Sequence, residues 1–223
     1  YPPPFIADDL PTRESWKIPA EAVVFVSCAN GIKHPPERDA LLMEILVKAP
    51  NACLILKPFA AADLENNRLT ERIRSAARAA GVEDRLFIAP PLKHVVALLN
   101  IADIQLDTYP YGGWTTNLEA LYAGLPIVTQ EGELARNRWG AGLLRALGIT
   151  AGIAANETEY VEWAVRLAGD EELRQQIKAK IRQTARQILF DGVGAQAAYE
   201  EVLQNIECGK DGLSTEEGGD NNG

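Results

Sequence analysis

The chain has 223 residues, 47% of them apolar and 24% charged, with a formal net charge of −9 at pH 7. That length and balance fit an ordinary globular protein able to bury a real core, as one large domain or two small ones. From Cys208 onward four acids (Asp211, Glu216, Glu217, Asp220) stand against one base (Lys210), and the remainder is still acidic, which excludes a duplex nucleic-acid binder but not a small anionic ligand.

Residues 1–21 are proline-rich and read as a linker or a strap laid over a domain, with Phe5, Ile6 and Trp16 as anchors. Ala22 to Cys28 is a continuous apolar run, the pattern of a strand buried on both faces. Ala29 to Lys33 reads as a loop, and Glu37 to Lys48 carries Leu41, Leu42, Ile45 and Leu46 at helical spacing. Cys53 to Leu56 is a second strand, ending in Lys57-Pro58. Leu64 to Ala80 is a long charged helix closed by Gly81, and Arg85 to Ala89 is a third strand stopped by Pro90-Pro91. Leu92 to Asn100 is a short helix and Ile104 to Leu106 a fourth strand.

Beyond a loop containing Gly112 and Gly113, Thr115 and Thr116 start an amphipathic helix that stops at Gly124, and Pro126 opens a fifth strand. Glu133 to Leu147 reads as one helix ended by Gly148, and Ile149 to Ala154 as a weak sixth strand. Helices follow at Asn156–Leu167, with Asn156 and Glu159 at capping-box spacing, at Glu171–Leu189 and at Gly194–Ile206. Strands alternating with helices predict βαβ units: a Rossmann-like three-layer α/β domain with a mostly parallel sheet over residues 22–206. Residues 207–223 form an acidic tail expected to be disordered.

Cys28, Cys53 and Cys208 are an odd number without a short-spaced pair, and nothing demands an oxidising compartment. No apolar run reaches a membrane span and the first residues are not a signal peptide, so the expected location is cytoplasmic, away from membranes. The sequence begins at Tyr1 without methionine, as a fragment of a longer protein does.

Ligands of open parallel sheets bind off the carboxyl ends of the strands. There the sequence places Asn30 and Lys33, then Lys57, then Pro90, Lys93 and His94, then Asp107 with Gly112, Gly113, Thr115 and Thr116, and last Gln130, Glu131 and Glu133. A strand, a glycine-bearing loop and a helix start form the unit in which an α/β fold holds a phosphate, since free N–H groups and the positive end of the helix dipole face the loop. The loop is neither a Walker A motif nor a GxGxxG fingerprint, and no GxSxG occurs. The two histidines, His34 and His94, and the cysteines lack metal-ligand spacing, so no metal or cofactor is expected.

DTYPYGGWTTNLEALYAGLPIVTQEGE resembles the signature of the O-GlcNAc transferase family, the GT-B glycosyltransferases of the family 41 type. The family segment runs Asp-Thr, four residues, Gly-His-Thr-Thr, an acid three residues later, then an A-G-x-P-x-V-T run and Gly-Glu. Here the spacing matches without a gap through Asp107-Thr108, Gly113, Thr115-Thr116, Glu119, Gly124, Pro126, Val128-Thr129 and Gly132-Glu133. FVSCANGIKHPP resembles the family's strand and loop carrying a polar residue and an essential lysine, on which Asn30 and Lys33 fall; the resemblance spans roughly residues 18 to 206.

The resemblance implies the second, nucleotide-binding domain of a GT-B fold. It implies further that this domain belongs to an inverting, metal-independent glycosyltransferase that moves GlcNAc or a related hexose from a UDP-sugar to Ser/Thr of proteins. It implies that Lys33 is catalytic, contacting the diphosphate and stabilising the leaving UDP. By the same resemblance Thr115 and Thr116 would bind the same diphosphate behind Gly113, Glu119 would accept from the ribose hydroxyls, Asn30 would sit near the phosphates, and Pro90, Lys93 and His94 would line the uracil pocket. The partners implied are the nucleotide-sugar donor, an amino-terminal catalytic domain and helical repeats of a longer parent chain, and a protein acceptor.

Three residues depart from the pattern: Trp114 replaces histidine, Glu119 replaces aspartate and Asn30 replaces glutamine. Trp114 either stacks on the nucleotide or sugar or covers the cleft. Asp107 is read as ordering its loop rather than as a base, and Trp139 and Trp163 as core packing. Two alternatives stay open: a non-catalytic Rossmann-like binding module, and a GT-B enzyme with a different nucleotide sugar and a non-protein acceptor.

Overall fold

In the computed structural model, residues 12–59, 63–90 and 95–192 and scattered positions from 194 to 204 are described. Two units are present, Tyr1–Leu189 and Phe190–Gly223. In the second, the described positions 194 to 204 are helical, within the predicted last helix. The anchors Phe5 and Ile6, the residues Lys93 and His94, and the tail 207–223 lie outside the described residues.

The first unit is built on six strands, β1 (Val23–Asn30), β2 (Ala52–Phe59), β3 (Leu86–Ile88), β4 (Ile104–Leu106), β5 (Ile127–Gln130) and β6 (Ile153–Ala154). They lie side by side in the order β3-β2-β1-β4-β5-β6, and every pairing is parallel. Val24, Phe25 and Val26 of β1, Ile55 of β2, Ile104 of β4 and Val128 of β5 have no exposed surface, as expected of strands covered on both faces. Each such side chain stabilises the fold by about 1.5–3 kcal/mol relative to an exposed one.

The helices are α1 (Asp39–Lys48), α2 (Asp63–Ala79), α3 (Val96–Leu99), α4 (Thr115–Tyr122), α5 (Trp139–Ala146), α6 (Glu157–Gly169) and α7 (Glu171–Leu189). α1 touches α2 and α6 on one side of the sheet, while α4 touches α3 and α7 on the other. That division follows from right-handed crossovers on either side of a reversal in strand order. Asn156 caps α6 as its spacing predicts, its Oδ1 accepting from Glu159 N at 2.9 Å while Glu159 Oε2 reaches back to Ala155 N at 2.9 Å. Among the described residues no helix is long and apolar enough to cross a membrane.

The described part, 12–21, of the predicted strap 1–21 is anchored by Trp16, tilted against Phe87 at 5.9 Å, and by Ile18, which is buried. Arg13 holds it further, pairing with Asp103 at 2.7 Å and donating to the Ile101 carbonyl at 3.0 Å.

Several element bounds differ from the sequence pattern. β1 runs on through Ala29 and Asn30, and Gly31–Lys33 forms a turn of 3-10 helix capped by Asn30. β2 continues through Lys57 and Pro58, because β3 ends at Ile88 and leaves no ladder partner on that side that a proline nitrogen would fail. The expected helix 133–147 is a 3-10 turn, Ala135–Asn137, followed by α5 only from Trp139. The weak strand 149–154 shrinks to Ile153–Ala154.

Candidate functional site

The strand order reverses between β1 and β4, and the segments leaving those two strands flank the crevice where an open α/β sheet receives its ligand. β4 delivers Asp107, which is 5% exposed. Its Oδ1 accepts from Thr108 N at 2.9 Å and Gly113 N at 2.7 Å, and its Oδ2 accepts from Thr129 Oγ1 at 2.8 Å. Burial pushes this carboxyl above the usual range while those donors hold it down. One side chain thereby ties the end of β4 to the glycine loop and to β5. The reading of Asp107 as an organiser of its loop holds.

The loop is closed at three further points. Thr108 Oγ1 donates to the Tyr111 carbonyl at 2.7 Å, Gly112 N donates to the Arg136 carbonyl at 2.9 Å, and the buried Asn117 Nδ2 donates to the Gly113 carbonyl at 2.7 Å. A Cβ at Gly113 would run into Thr116 Oγ1 and come within 3.3 Å of Asp107 Oδ1, so any other residue there would force the Thr116 side chain to shift.

Trp114, not a threonine, occupies the N-cap of α4, without a side-chain cap bond. Thr115 and Thr116 are therefore the first helical residues. The first ladder bond is Leu118 N to the Trp114 carbonyl at 3.0 Å, so the N–H groups of Thr115, Thr116 and Asn117 have no partner within the helix. They supply the positive end of the helix dipole at the crevice.

Lys33, leaving β1, crosses to this loop. Its Nζ donates to the Gly112 carbonyl at 3.1 Å and lies 4.2 Å from the centre of the Tyr111 ring. Partial burial lowers its pKa, opposed by the charge of Asp107. Lys33, Gly113, Trp114, Thr115 and Thr116 are thus gathered on one side of the crevice.

The other predicted residues are placed differently. Asn30 is exposed, its Oδ1 accepting from Ile32 N at 3.2 Å. Pro90 is exposed just beyond β3. Lys57 is not on a loop but within β2, 3% exposed, with Nζ donating to the Pro58 carbonyl at 3.2 Å, and burial lowers its pKa. It is in register with Cys28, whose thiol burial pushes up to about 12, and the charges of both Lys57 and Glu119 are felt at that sulfur. Glu119 is half-buried and burial raises its carboxyl. Lys57 and Glu119 are thus both close enough to Cys28 for their charges to act on it. Glu131, which follows β5, is held below the ordinary carboxylate range by a bidentate pairing with Arg145, both contacts 2.6 Å, and is removed from the crevice chemistry by that pair.

Trp139 departs from its core-packing expectation: it is half-buried and meets Tyr111 edge-on at 5.5 Å and Trp114 at 6.2 Å. Trp163 is likewise half-buried, with the Arg166 guanidinium 5.1 Å from its ring.

Sequence reasoning passed over Arg38. Its Nη1 donates to Gln130 Oε1 at 2.8 Å and Glu157 Oε1 at 2.9 Å, and its guanidinium lies 5.5 Å from the Tyr109 ring and 5.0 Å from the Tyr160 ring. Tyr160 in turn donates to the Asp107 carbonyl at 2.8 Å. No local pattern marks such an arginine, because its partners lie about a hundred residues away. His34 is also buried beside the crevice, and burial with the charges of Arg72 and Lys33 pushes it down to about 4. It lines, with Ser27, Arg38, Asp107 and Tyr160, a cavity of about 20 Å³, room for one water molecule.

A histidine held neutral below its ordinary 6.5 gives stability that is fully present above that pH and lost as pH falls towards 4, because the unfolded chain takes up the proton first. Between pH 7.5 and 5.5 this group should remove about 1 kcal/mol from the free energy of unfolding. Urea melts at the two pH values should show that loss in the wild type, and His34→Gln should lack it.

A wholly parallel sheet in this strand order, with an anchored glycine loop and a helix start at the reversal, defines a Rossmann-like α/β domain of the kind that forms one half of a GT-B glycosyltransferase. The model of glycosyl transferase family 41 matches residues 7–194, and the chain belongs to that family. A Petunia hybrida relative, named a probable UDP-N-acetylglucosamine–peptide N-acetylglucosaminyltransferase SPINDLY, is 34% identical over 193 residues, covering 83% of this chain and 19% of its own length. An O-GlcNAc transferase structure from Thermobaculum terrenum superposes with a TM-score of 0.77 at 28% identity, over 92% of this chain and 38% of that one. Anabaena HepE, solved with UDP and glucose, shares the fold with a TM-score of 0.65 at 17% identity, over 86% of this chain and 51% of its own. The chain therefore spans about a fifth of the curated relative and well under half of the O-GlcNAc transferase structure.

Proposed function

We propose that this chain is the donor-binding half of an inverting, metal-independent glycosyltransferase that uses a UDP-sugar and transfers GlcNAc or a related hexose to Ser/Thr of proteins. The observation that carries the reading is Lys33 meeting the Gly112–Gly113 loop and the start of α4 across the strand-order reversal. A diphosphate there accepts from the N–H groups of Thr115 and Thr116, and Lys33 exchanges its bond to the Gly112 carbonyl for a phosphate oxygen. As the sugar departs, negative charge grows on the diphosphate, where a fixed ammonium is worth most. Glu119, one turn along α4, accepts from the ribose hydroxyls, with Lys57 behind it. Asn30 stands at the rim near the phosphates, and Pro90, with Lys93 and His94, borders the base.

Family membership and the names of the relatives support the glycosyl-transfer reading. The general base and the acceptor groove belong to an amino-terminal catalytic domain and helical repeats of a longer parent chain, working in the cytoplasm. Calorimetric titration with UDP is the test. Wild type should bind at millimolar concentrations or below, and Lys33→Ala should weaken binding roughly 10- to 100-fold, the loss of one charge-assisted contact. No heat from the wild type at millimolar UDP would sink the donor assignment and leave the non-catalytic module. Heat with GDP or ADP instead would favour a different nucleotide sugar. Undiminished binding after dialysis against EDTA is expected of the metal-independent site.

A further inference from the structure

Trp114 and Tyr111 stand on the glycine loop and Trp139 opens α5, and the three rings form one wall. Trp139 meets Tyr111 edge-on at 79° and Trp114 at 68°. Such contacts fix the rings in place, yet Tyr111 stays 42% exposed and Trp114 49% exposed. The wall is continuous with the crevice. Trp114 immediately precedes the free N–H groups of α4, and the Lys33 ammonium that reaches Gly112 also sits over Tyr111.

A ligand anchored by its diphosphate at that helix start carries whatever is bonded to its outer phosphate past the adjoining surface. Here that surface includes the exposed Trp114 indole, already braced by its neighbours. A pyranose ring presents a face of weakly electropositive C–H bonds, which matches the negative face of an indole as a cation does. The histidine that the resembling family carries at this position offers a polar contact instead.

We propose that Trp114, braced by Trp139 and Tyr111, is a specificity-determining residue that stacks on the pyranose ring of the donor sugar. The proposal rests on the UDP-sugar reading above. It makes the advantage of nucleotide sugar over bare nucleotide depend on an aromatic face, while the nucleotide itself is held by Lys33 and α4.

The test is calorimetry on the full chain with UDP, UDP-GlcNAc and methyl N-acetylglucosaminide, for wild type, Trp114→Ala, Trp114→Phe and Lys33→Ala. Thermal melts show which variants are folded. Wild type should bind UDP-GlcNAc about 10-fold more tightly than UDP, the upper range of one aromatic stacking contact. Trp114→Ala should weaken UDP-GlcNAc about 5-fold more than it weakens UDP, reducing that ratio to about 2 or less, Trp114→Phe should keep most of it, and Lys33→Ala should weaken both ligands together. The nucleotide-free sugar should give no heat. Equal loss of UDP and UDP-GlcNAc in Trp114→Ala would place the ring on the nucleotide and overturn the proposal. An unchanged ratio in Trp114→Ala, or binding of the nucleotide-free sugar as strong as UDP-GlcNAc, would overturn it while leaving the UDP reading intact. If UDP itself fails to bind wild type, both fall.

Discussion

Asp107→Ala should lower the unfolding free energy by about 3 kcal/mol and bring the thermal midpoint down by roughly 10 °C for a chain of this size. The reason is the number of buried donors that depend on one carboxylate. Gly113 N and Thr129 Oγ1 both lose an acceptor, and Thr108 N loses its partner at the loop's first residue. Each buried donor left without a partner costs about 1–3 kcal/mol, and the exposed end of the set less. UDP binding should fall at least about 100-fold, because the loop that presents the helix start is no longer held to β4. Asp107→Asn keeps an acceptor oxygen for the two amides and should lose about half as much stability. Differential scanning calorimetry with UDP titration reads both effects. A variant with an unshifted midpoint and wild-type affinity would show that the loop holds itself without the carboxylate.

That prediction could be half written from the sequence. Asp-Thr at the end of an apolar strand, two glycines and a threonine pair announce an anchored loop, and the parallel sheet follows from apolar runs alternating with amphipathic helices. Asp107, Lys33 and the α4 start were legible because each is tied to a local signal at a strand end. The end of β2 misled because the short β3 lets that strand run through a proline, a fact about the neighbouring strand that no local pattern carries. The 133–147 segment misled for a related reason. Its apolar spacing suits one helix, but Gly112 N takes the Arg136 carbonyl and Gly132 N takes the Asn137 carbonyl, so the chain turns tightly to serve the loop before α5 begins. Trp139 was assigned to the core on its helical spacing, and only the approach of Tyr111 and Trp114 shows it belongs to the crevice wall. Arg38 had no signal at all, since its partners Gln130, Glu157 and Tyr160 come from the far half of the chain.

Gly140→Ala should destabilise the protein by about 2–3 kcal/mol, the opposite of what the substitution does in most helices. Ordinarily it gains up to about 1 kcal/mol by restricting the unfolded chain. Here a Cβ would run into Thr129 Oγ1 and lie 2.7 Å from Asp107 Oδ2, so the added methyl lands on the hydrogen bond that joins β4 to β5. Neither atom can retreat. Asp107 is held by two amides and Thr129 lies within β5, so the helix must shift or the bond must break, at the cost typical of overpacking. The same reasoning sets the outcome of a double-mutant cycle. If both substitutions act through the Asp107–Thr129 contact, Gly140→Ala made in an Asp107→Ala background should cost at least about 1 kcal/mol less than it does alone, because the bond is already gone and the space is open. Urea denaturation of the four proteins measures the difference. Additive costs would mean that the methyl acts elsewhere and that the start of α5 does not press on the carboxylate. A large coupling would make Gly140 part of the machinery that holds the glycine loop, although it lies 33 positions beyond Asp107 in the chain.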